Sequence, residues 1–349
     1  MSRFVFTADW HIGSHRGPEI DGYNGRLLDI QKQMVAILKY CITNQIKTLI
    51  VGGDLYREKD PSNMHRQILA QIIKSAQEND IEMLMIPGNH DCYRARGQTH
   101  TLAEFVPFIG PRLNIFDKIT VYPVEDVEFT FFPYSTAPQA DKVPQCEKSK
   151  YPQVLVMHGT IEGGFANRMV DYEVFDEDII PYDRVKGYDL ILAGHLHCQQ
   201  NFKNVWYPGS IERLDFGDMN TDKCFLDVTV NGPKSIDVKK VPLDAREMME
   251  MNAAQLSLLK ADRFSVKNAI VRVIGVERDK ARDVRRLLAE KGCYYISSMQ
   301  YADGGVDDVA KSGTVDIGKF IEIYAKKSNY KGDLKMATKA VFESLENQT

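Results

Sequence analysis

Phe4-Val5-Phe6-Thr7-Ala8-Asp9-Trp10-His11 opens the chain with a short apolar strand that runs directly into an aspartate and a histidine. Four further segments repeat this design: Val51-Gly52-Gly53-Asp54, Pro87-Gly88-Asn89-His90-Asp91, Val156-Met157-His158-Gly159 and Ala193-Gly194-His195-Leu196-His197. In each, an apolar run ends and a residue able to bind a metal ion follows at once. Side chains placed beyond the carboxyl ends of neighbouring strands converge on one edge of a sheet, where open α/β folds keep their sites. Glycines beside them permit sharp turns and close backbone approach. A single Asp-x-His is more often a solvated strand end, and His158 by itself reads as a satisfied core histidine. Five such segments in order, holding five of the eight histidines, make coincidence a poor explanation.

Between these segments the apolar pattern alternates between two periods. Leu27, Ile30, Met34, Ile37, Leu38 and Cys41 recur at helical spacing and predict a helix over 27–44. Ile68, Leu69, Ile72, Ile73 and Ala76 predict a second over 62–79, with strands at 4–7, 48–51 and 82–86. This alternation argues for βαβ units and a largely parallel sheet. From about Leu113 the pattern turns antiparallel, with a hairpin from 120–124 and 127–132, followed by buried strands at 153–157 and 190–193 and more strands from 225 to 241. An α/β architecture results, either one mixed sheet or two sheets packed together with helices outside. A smaller unit follows: a strand at 269–273, a helix at 278–291, a strand at 294–301 and two amphipathic helices near 316–327 and 334–346.

Composition sets limits on the rest. The 349 residues, 44% apolar and 26% charged, are those of an ordinary globular protein. No apolar run approaches the length of a membrane span, and Asp9 and His11 interrupt the N-terminus too soon for a signal peptide, so a cytoplasmic protein is expected. The six cysteines show no zinc or redox spacing. Net charge is −4, unevenly spread: residues 1–244 carry 26 Lys and Arg against 33 Asp and Glu, and residues 245–349 carry 18 against 15. Two bound divalent cations would offset acidity in the first part, so net charge does not decide the partner.

Imidazole plus carboxylate suits Mn²⁺, Fe, Zn²⁺ or Co²⁺ better than Mg²⁺ or Ca²⁺. Asp9, His11, Asp54, Asn89, His158, His195 and His197 exceed what one such ion needs. Two ions bridged by a carboxylate are the natural arrangement for phosphoryl chemistry. Histidine donors must be neutral to coordinate, so occupancy is expected to fall below pH about 6.5.

The five segments resemble the metallophosphoesterase (calcineurin-like) superfamily. Ala8-Asp9-Trp10-His11-Ile12-Gly13, Gly52-Gly53-Asp54-Leu55-Tyr56 and Tyr207-Pro208-Gly209-Ser210-Ile211-Glu212-Arg213-Leu214-Asp215-Phe216-Gly217 resemble its SbcD-type exonuclease branch, the nuclease subunit of a double-strand-break repair complex. The resemblance covers residues 1–244; beyond them it rests on arrangement more than motif. It implies a mixed-sheet metallophosphoesterase sandwich with flanking helices at 1–244, a small α+β DNA-binding capping domain at 245–308 and C-terminal helices at 309–349. Those helices either pack on their own domain or, as in the family, dock on an SbcC-like SMC-family ATPase, with the chain acting as a homodimer. By the same resemblance Asp9, His11, Asp54 and His197 hold one ion, with Asp54 bridging, and Asn89, His158 and His195 hold the second. The ions are expected to be Mn²⁺, with His90 as the acid at the scissile phosphate and Asp91 orienting it. Many members carry a second histidine three residues after the bridging aspartate. Here that position is Arg57, able to hold a phosphate but not to act as an acid; a plain surface role is equally open.

The implied activity is a DNA exonuclease and endonuclease. Two rivals stand beside it: a phosphoesterase for small phosphate esters or phosphoproteins, and a DNA-binding scaffold without catalysis. Arg278, Arg282, Arg285 and Arg286 share one side of the predicted helix at 278–291, either as a face paired with Asp279, Asp283 and Glu290 or as a contact for DNA phosphates. Arg94 and Arg96 are similar candidates. Gly313–Phe320 nearly spells a nucleotide-binding loop, but Phe320 stands where a hydroxyl is required and no buried strand leads in.

Overall fold

The structure, a computed structural model, describes residues 1–92, 100–108, 110, 112–134, 140–146, 149–164, 179–232 and 235–308. The chain divides into two compact units, Met1–Met249 and Glu250–Thr349. Arg94, Arg96, the Gly313–Phe320 stretch and both C-terminal helices expected from the sequence lie outside the described residues.

The first unit is built on two six-stranded sheets rather than one. β1 (Ser2–Thr7), β2 (Thr48–Val51), β3 (Glu82–Met85) and β4 (Leu113–Ile115) run parallel in that order. The parallel pairing of β4 corrects the antiparallel reading from Leu113 onward. In the second sheet β5 (Thr120–Val124) and β6 (Val127–Phe132) form the expected hairpin. β6 then runs parallel to β7 (Gln153–His158), and β7 to β8 (Leu190–Gly194). β9 (Gln200–Phe202) and β10 (Val205–Tyr207) complete that sheet, β10 lying parallel to β8. The chain then returns to the first sheet as β11 (Cys224–Gly232), antiparallel to β1, and β12 (Ser235–Pro242).

Side-chain alternation explains why these strands read as continuous apolar runs. Phe4, Phe6, Ile50 and Leu84 pack in one cluster with Val127, Phe129, Phe131, Val154, Val156 and Leu192, filling the space between the sheets. Their neighbours Val5, Leu49, Val51, Met83 and Met85 face α1 (Gly25–Thr43) and α2 (Asn63–Glu78). Leu155, Met157, Ile191 and Ala193 form a third cluster with Ile180, Val185 and Tyr188. A strand buried on both faces has no polar alternation to show. Phe4 meets Phe129 edge to face at 5.0 Å between ring centres, and Phe116 stacks on Phe131 at 4.1 Å. Each such ring contributes roughly 1.5–3 kcal/mol through burial. Both helices start on polar caps: Asn24 accepts from the Leu27 amide, and Ser62 and His65 cap each other reciprocally.

In the second unit β14 (Ile270–Val276) and β15 (Tyr295–Tyr301) are parallel and linked by α4 (Ala281–Glu290), which buries Ala281, Val284 and Leu288 as its period predicts. The sheet also contains β13 (Met248–Met251) and the antiparallel edge strand β16 (Val306–Asp308). β13 and α3 (Ala253–Lys260), capped by Asn252 and Gln255, went unread in the sequence. No helix among the described residues is long and apolar enough to cross a membrane.

Candidate metal centre

The strands that carry the five segments end at one edge of the sandwich. Asp9 and His11 follow β1, Asp54 follows β2, Asn89 and His90 follow β3, His158 ends β7, and His195 and His197 follow β8. The turns are sharp. Asp9, His11, Asp54 and His195 have φ of 54°, 47°, 53° and 99°. A left-handed backbone is uncommon outside glycine, and Asp and His are among the types that tolerate it best. Residues held this way cluster at functional sites when their surroundings over-determine them. Here the Asp9 amide donates to Gly53 O at 3.0 Å, the His11 amide to Asp54 O at 3.0 Å and the Ile12 amide to Leu55 O at 2.8 Å. These bonds lace the turn after β1 to the turn after β2. A Cβ on Gly88 would fall on the carboxylate and amide of Asp54, so only glycine lets the third turn close on the second.

The donor atoms converge. His11 Nε2 and His197 Nε2 lie 3.0 Å apart, and one donor atom from each of Asp9, His11 and His197 falls within 4.8 Å of the other two. On the other side, Asn89 Oδ1 lies 2.9 Å from His158 Nε2 and 3.0 Å from His195 Nδ1. Asp54 stands between the groups, with Oδ2 3.6 Å from His11 Nε2 and Oδ1 3.4 Å from His158 Nε2. Asp9, Asp54 and His158 also form a compact trio, as do His11, Asp54 and His90. All the residues expected at the site come together. Asp9, Asp54 and His158 are buried at its base, whereas Asn89, His90, His195 and His197 are partly exposed.

Ring tautomers are fixed by carbonyls. His158 Nδ1–H donates to Gly52 O at 2.8 Å and His90 Nδ1–H to Arg57 O at 2.8 Å, so Nε2 of each ring faces the cluster. Asp91 does not orient His90 as expected. Its carboxylate instead accepts from the amides of Leu55 (3.1 Å), Tyr56 (3.0 Å) and Gly88 (2.9 Å), tying the second and third turns together. The His90 amide itself donates to Asp54 Oδ1 at 2.8 Å.

Burial governs the charges. It pushes His195 down to about 3 and His197 to about 4, and holds His11 well below the usual imidazole range. Neutral imidazoles are the form that coordinates metal. Burial lifts Asp9 to about 7. At His158 burial acts downward, but the charges of Asp54 and Asp9 outweigh it and raise the ring to about 9. Asp54 is pushed up by burial yet held well below the carboxylate range by His158, its hydrogen bond and His11. Buried carboxylates surrounded by inward-facing nitrogen lone pairs call for positive charge, and this donor set fits divalent cations of the imidazole-binding kind.

Several supporting residues escaped the sequence reading. His15 Nε2–H donates to His11 O at 3.0 Å. Buried Lys223 donates to His197 O at 3.0 Å and Ser210 Oγ at 2.8 Å, and pairs with Asp218 at 3.2 Å. Gly209, with φ 79°, sits against His197 O, where a Cβ would collide. The Tyr207–Gly217 motif is thus the platform on which the His197 turn rests. Behind it, Arg26 and Arg246 share Asp29, and Glu212 accepts from the amides of Arg213 and Arg246. Only the fold brings residues 26, 29, 212 and 246 together. In the second unit Arg286 pairs with Asp283 at 3.1 Å, while Arg278 pairs with Asp303 rather than with Asp279.

Residues 2–199 match the calcineurin-like phosphoesterase family, and the chain belongs to it. That family uses a dimetal centre and hydrolyses phosphoester bonds. Among individual proteins, the SbcD subunit of the nuclease SbcCD from Escherichia coli K12 is 19% identical over 295 residues, covering 74% of this chain and 72% of that protein. The DNA double-strand break repair protein Mre11 of Methanocaldococcus jannaschii is 26% identical over 272 residues, 71% of this chain and 69% of the other. Exonuclease subunit 1 of phage T4 is 23% identical over 235 residues, 64% and 63%.

Proposed function

We propose that this protein is a two-metal DNA nuclease that cleaves phosphodiester bonds in end processing, as exonuclease and endonuclease. The observation that carries the reading is Asp54, whose two oxygens face imidazoles of opposite donor groups. In this reading Asp9, His11, Asp54 and His197 hold one ion, and Asn89, His158 and His195 hold the other, with Asp54 shared. When bound, the ions polarise the phosphate and supply a strong nucleophile at neutral pH. Everything else falls to the protein. The buried base keeps the carboxylates dry, which strengthens their electrostatic action. The partly exposed rim of Asn89, His90, His195 and His197 admits the phosphate. His90, locked through Nδ1–H to Arg57 O and through its amide to Asp54, presents Nε2, which in the imidazolium form carries the second ring proton and gives it to the departing ester oxygen, leaving the neutral ring.

The nuclease and repair functions named for three relatives favour DNA over small esters. The donor set favours Mn²⁺ over Mg²⁺. By the same kinship the reading includes a homodimer, an SbcC-like ATPase partner and a cytoplasmic location, with residues 245–308 gripping DNA and 309–349 docking the ATPase. The test is incubation of linear duplex DNA, and separately of bis(p-nitrophenyl) phosphate, with Mn²⁺, Mg²⁺ or EDTA. Cleavage of duplex in Mn²⁺ that drops about 10²–10⁴-fold in His90→Ala, with metal content unchanged, is expected. Hydrolysis of the small diester alone would mean a small-ester phosphoesterase, and failure to bind metal would mean a non-catalytic scaffold.

A further inference from the structure

We infer that Arg57 binds a second phosphate of the substrate strand, beside the one being cleaved, and so selects polymeric over single-phosphate substrates. The inference rests on the nuclease reading. Arg57 is three residues beyond Asp54, and its main chain is held at both ends. Its amide donates to Ile12 O at 3.1 Å, and its carbonyl accepts the His90 Nδ1–H at 2.8 Å. Its side-chain stem lies on Gly13, where a Cβ would come within 2.7 Å of Arg57 Cβ. The guanidinium then donates through Nη1 to Ser14 O at 2.6 Å. Stem, carbonyl and one N–H are thus committed, which fixes the head against the Ser14 carbonyl, in the turn that follows His11, while the residue's own carbonyl holds His90.

What the head lacks is a carboxylate. Arg3, Arg26, Arg66, Arg112, Arg184 and Arg246 of the same unit each form an ion pair with an Asp or Glu. Among the described residues Arg57 forms none, and neither does half-buried Lys59 two positions on. A pre-oriented guanidinium with spare N–H donors is matched to a phosphate, which it can grip in bidentate fashion. Its anchor is a carbonyl, so no internal anion competes. The scissile phosphate belongs to the metal donors and His90, which leaves Arg57 a neighbouring phosphate along the strand. Small diesters have none to offer.

The experiment compares wild type, Arg57→Ala and Arg57→Lys on bis(p-nitrophenyl) phosphate and on a duplex oligonucleotide. Equilibrium binding of the labelled oligonucleotide is measured alongside, in EDTA across a salt series. Arg57→Ala should raise KM for the oligonucleotide about tenfold, the loss of one charged hydrogen-bonded contact, with a much smaller effect on the small diester. The slope of log affinity against log salt should flatten by about 0.9, and Arg57→Lys should restore the slope while recovering only part of KM. An equal fall in kcat on both substrates, with KM and salt slope unchanged, would mean that Arg57 serves only to hold His90, and the inference would be wrong. A wild type that hydrolyses the small diester but neither binds nor cuts the oligonucleotide would instead overturn the nuclease reading, and the Arg57 assignment with it.

Discussion

Two clusters of buried charge lie in the first unit, and they are completed in opposite ways. Around α1, Arg26 donates to Asp29 at 2.5 Å and to Arg213 O at 2.5 Å. Arg246 grips Asp29 through two bonds of 2.7 and 2.6 Å, and Glu212 takes the amides of Arg213 and Arg246. Among the side chains of Arg26, Asp29, Glu212 and Arg246, only Arg26 Nε lacks a partner. Every carboxylate there is answered by a cation or an N–H from the protein. At the strand ends the balance differs: Asp9 and Asp54 accept backbone amides and the charge of His158, but burial keeps His11, His195 and His197 neutral, and nitrogen faces nitrogen across 3.0 Å. Burying charge is costly in both places. One cluster settles the cost internally and stiffens the scaffold; the other leaves it for bound cations to settle.

Three substitutions or conditions can break or sharpen this contrast. The largest effect is expected from Asp54→Ala, which removes the carboxylate facing both donor groups. Metal content by mass spectrometry should fall at both positions, with affinity down by about a hundredfold or more, and hydrolysis should fall with it. Retention of one tightly bound ion would show that Asp54 is not shared. Next comes Asp29→Ala, which removes the carboxylate that Arg26 and Arg246 share and leaves Arg26 to Glu212 at 3.5 Å and to Arg213 O. Chemical denaturation should report a loss of about 3–5 kcal/mol, while metal content per folded molecule stays that of the parent. The smallest effect is one of pH on metal-free protein. His158 stands at about 9 in the folded chain against 6.5 for a free ring, so the folded state holds the extra proton between those values. Stability must then decline as pH rises from 6.5 to 8. Saturating Mn²⁺ displaces that proton and should flatten the slope. A metal-free protein whose denaturation midpoint is level over this range would contradict the coupling of His158 to Asp54.

The same protonation pattern adds residue detail to the expectation that metal occupancy falls below pH about 6.5. His195 and His197 resist protonation well below that value, whereas His158 and Asp9 already hold protons near neutrality. In the metal-free chain the donors that a cation must strip of protons are therefore His158 and Asp9 before His195 and His197. No histidine count reveals this, because it depends on which carboxylate each ring meets.

Much of the fold was legible because strand ends and helix periods are local. The stretches expected as helices at 27–44 and 62–79 are Gly25–Thr43 and Asn63–Glu78, and the hairpin at 120–132 stands where its pattern put it. The choice between one mixed sheet and two was not legible. It turns on β4, β9 and β10, three residues each, and on β11 pairing with β1 more than two hundred residues away. The convergence of the candidate donors was foreshadowed by their shared position after strands. The work of Asp91 was not, since its partners are backbone amides turned toward it by neighbouring bends. His15 carried the only advance sign available, a fourth-residue echo of His11. Lys223 and Asp218 carried none, being ordinary charged residues until the chain folds around them.

The left-handed backbone at Asp9, His11, Asp54 and His195 has a consequence for how this protein can be improved in the laboratory. Glycine or asparagine would occupy those conformations with less strain. Neither would replace the carboxylate or imidazole that the position supplies. A library screened for heat resistance alone would enrich such replacements and return robust proteins that have lost their chemistry. Thermal selection should therefore keep these four codons fixed and search the helices and outer strands, where durability and activity do not compete.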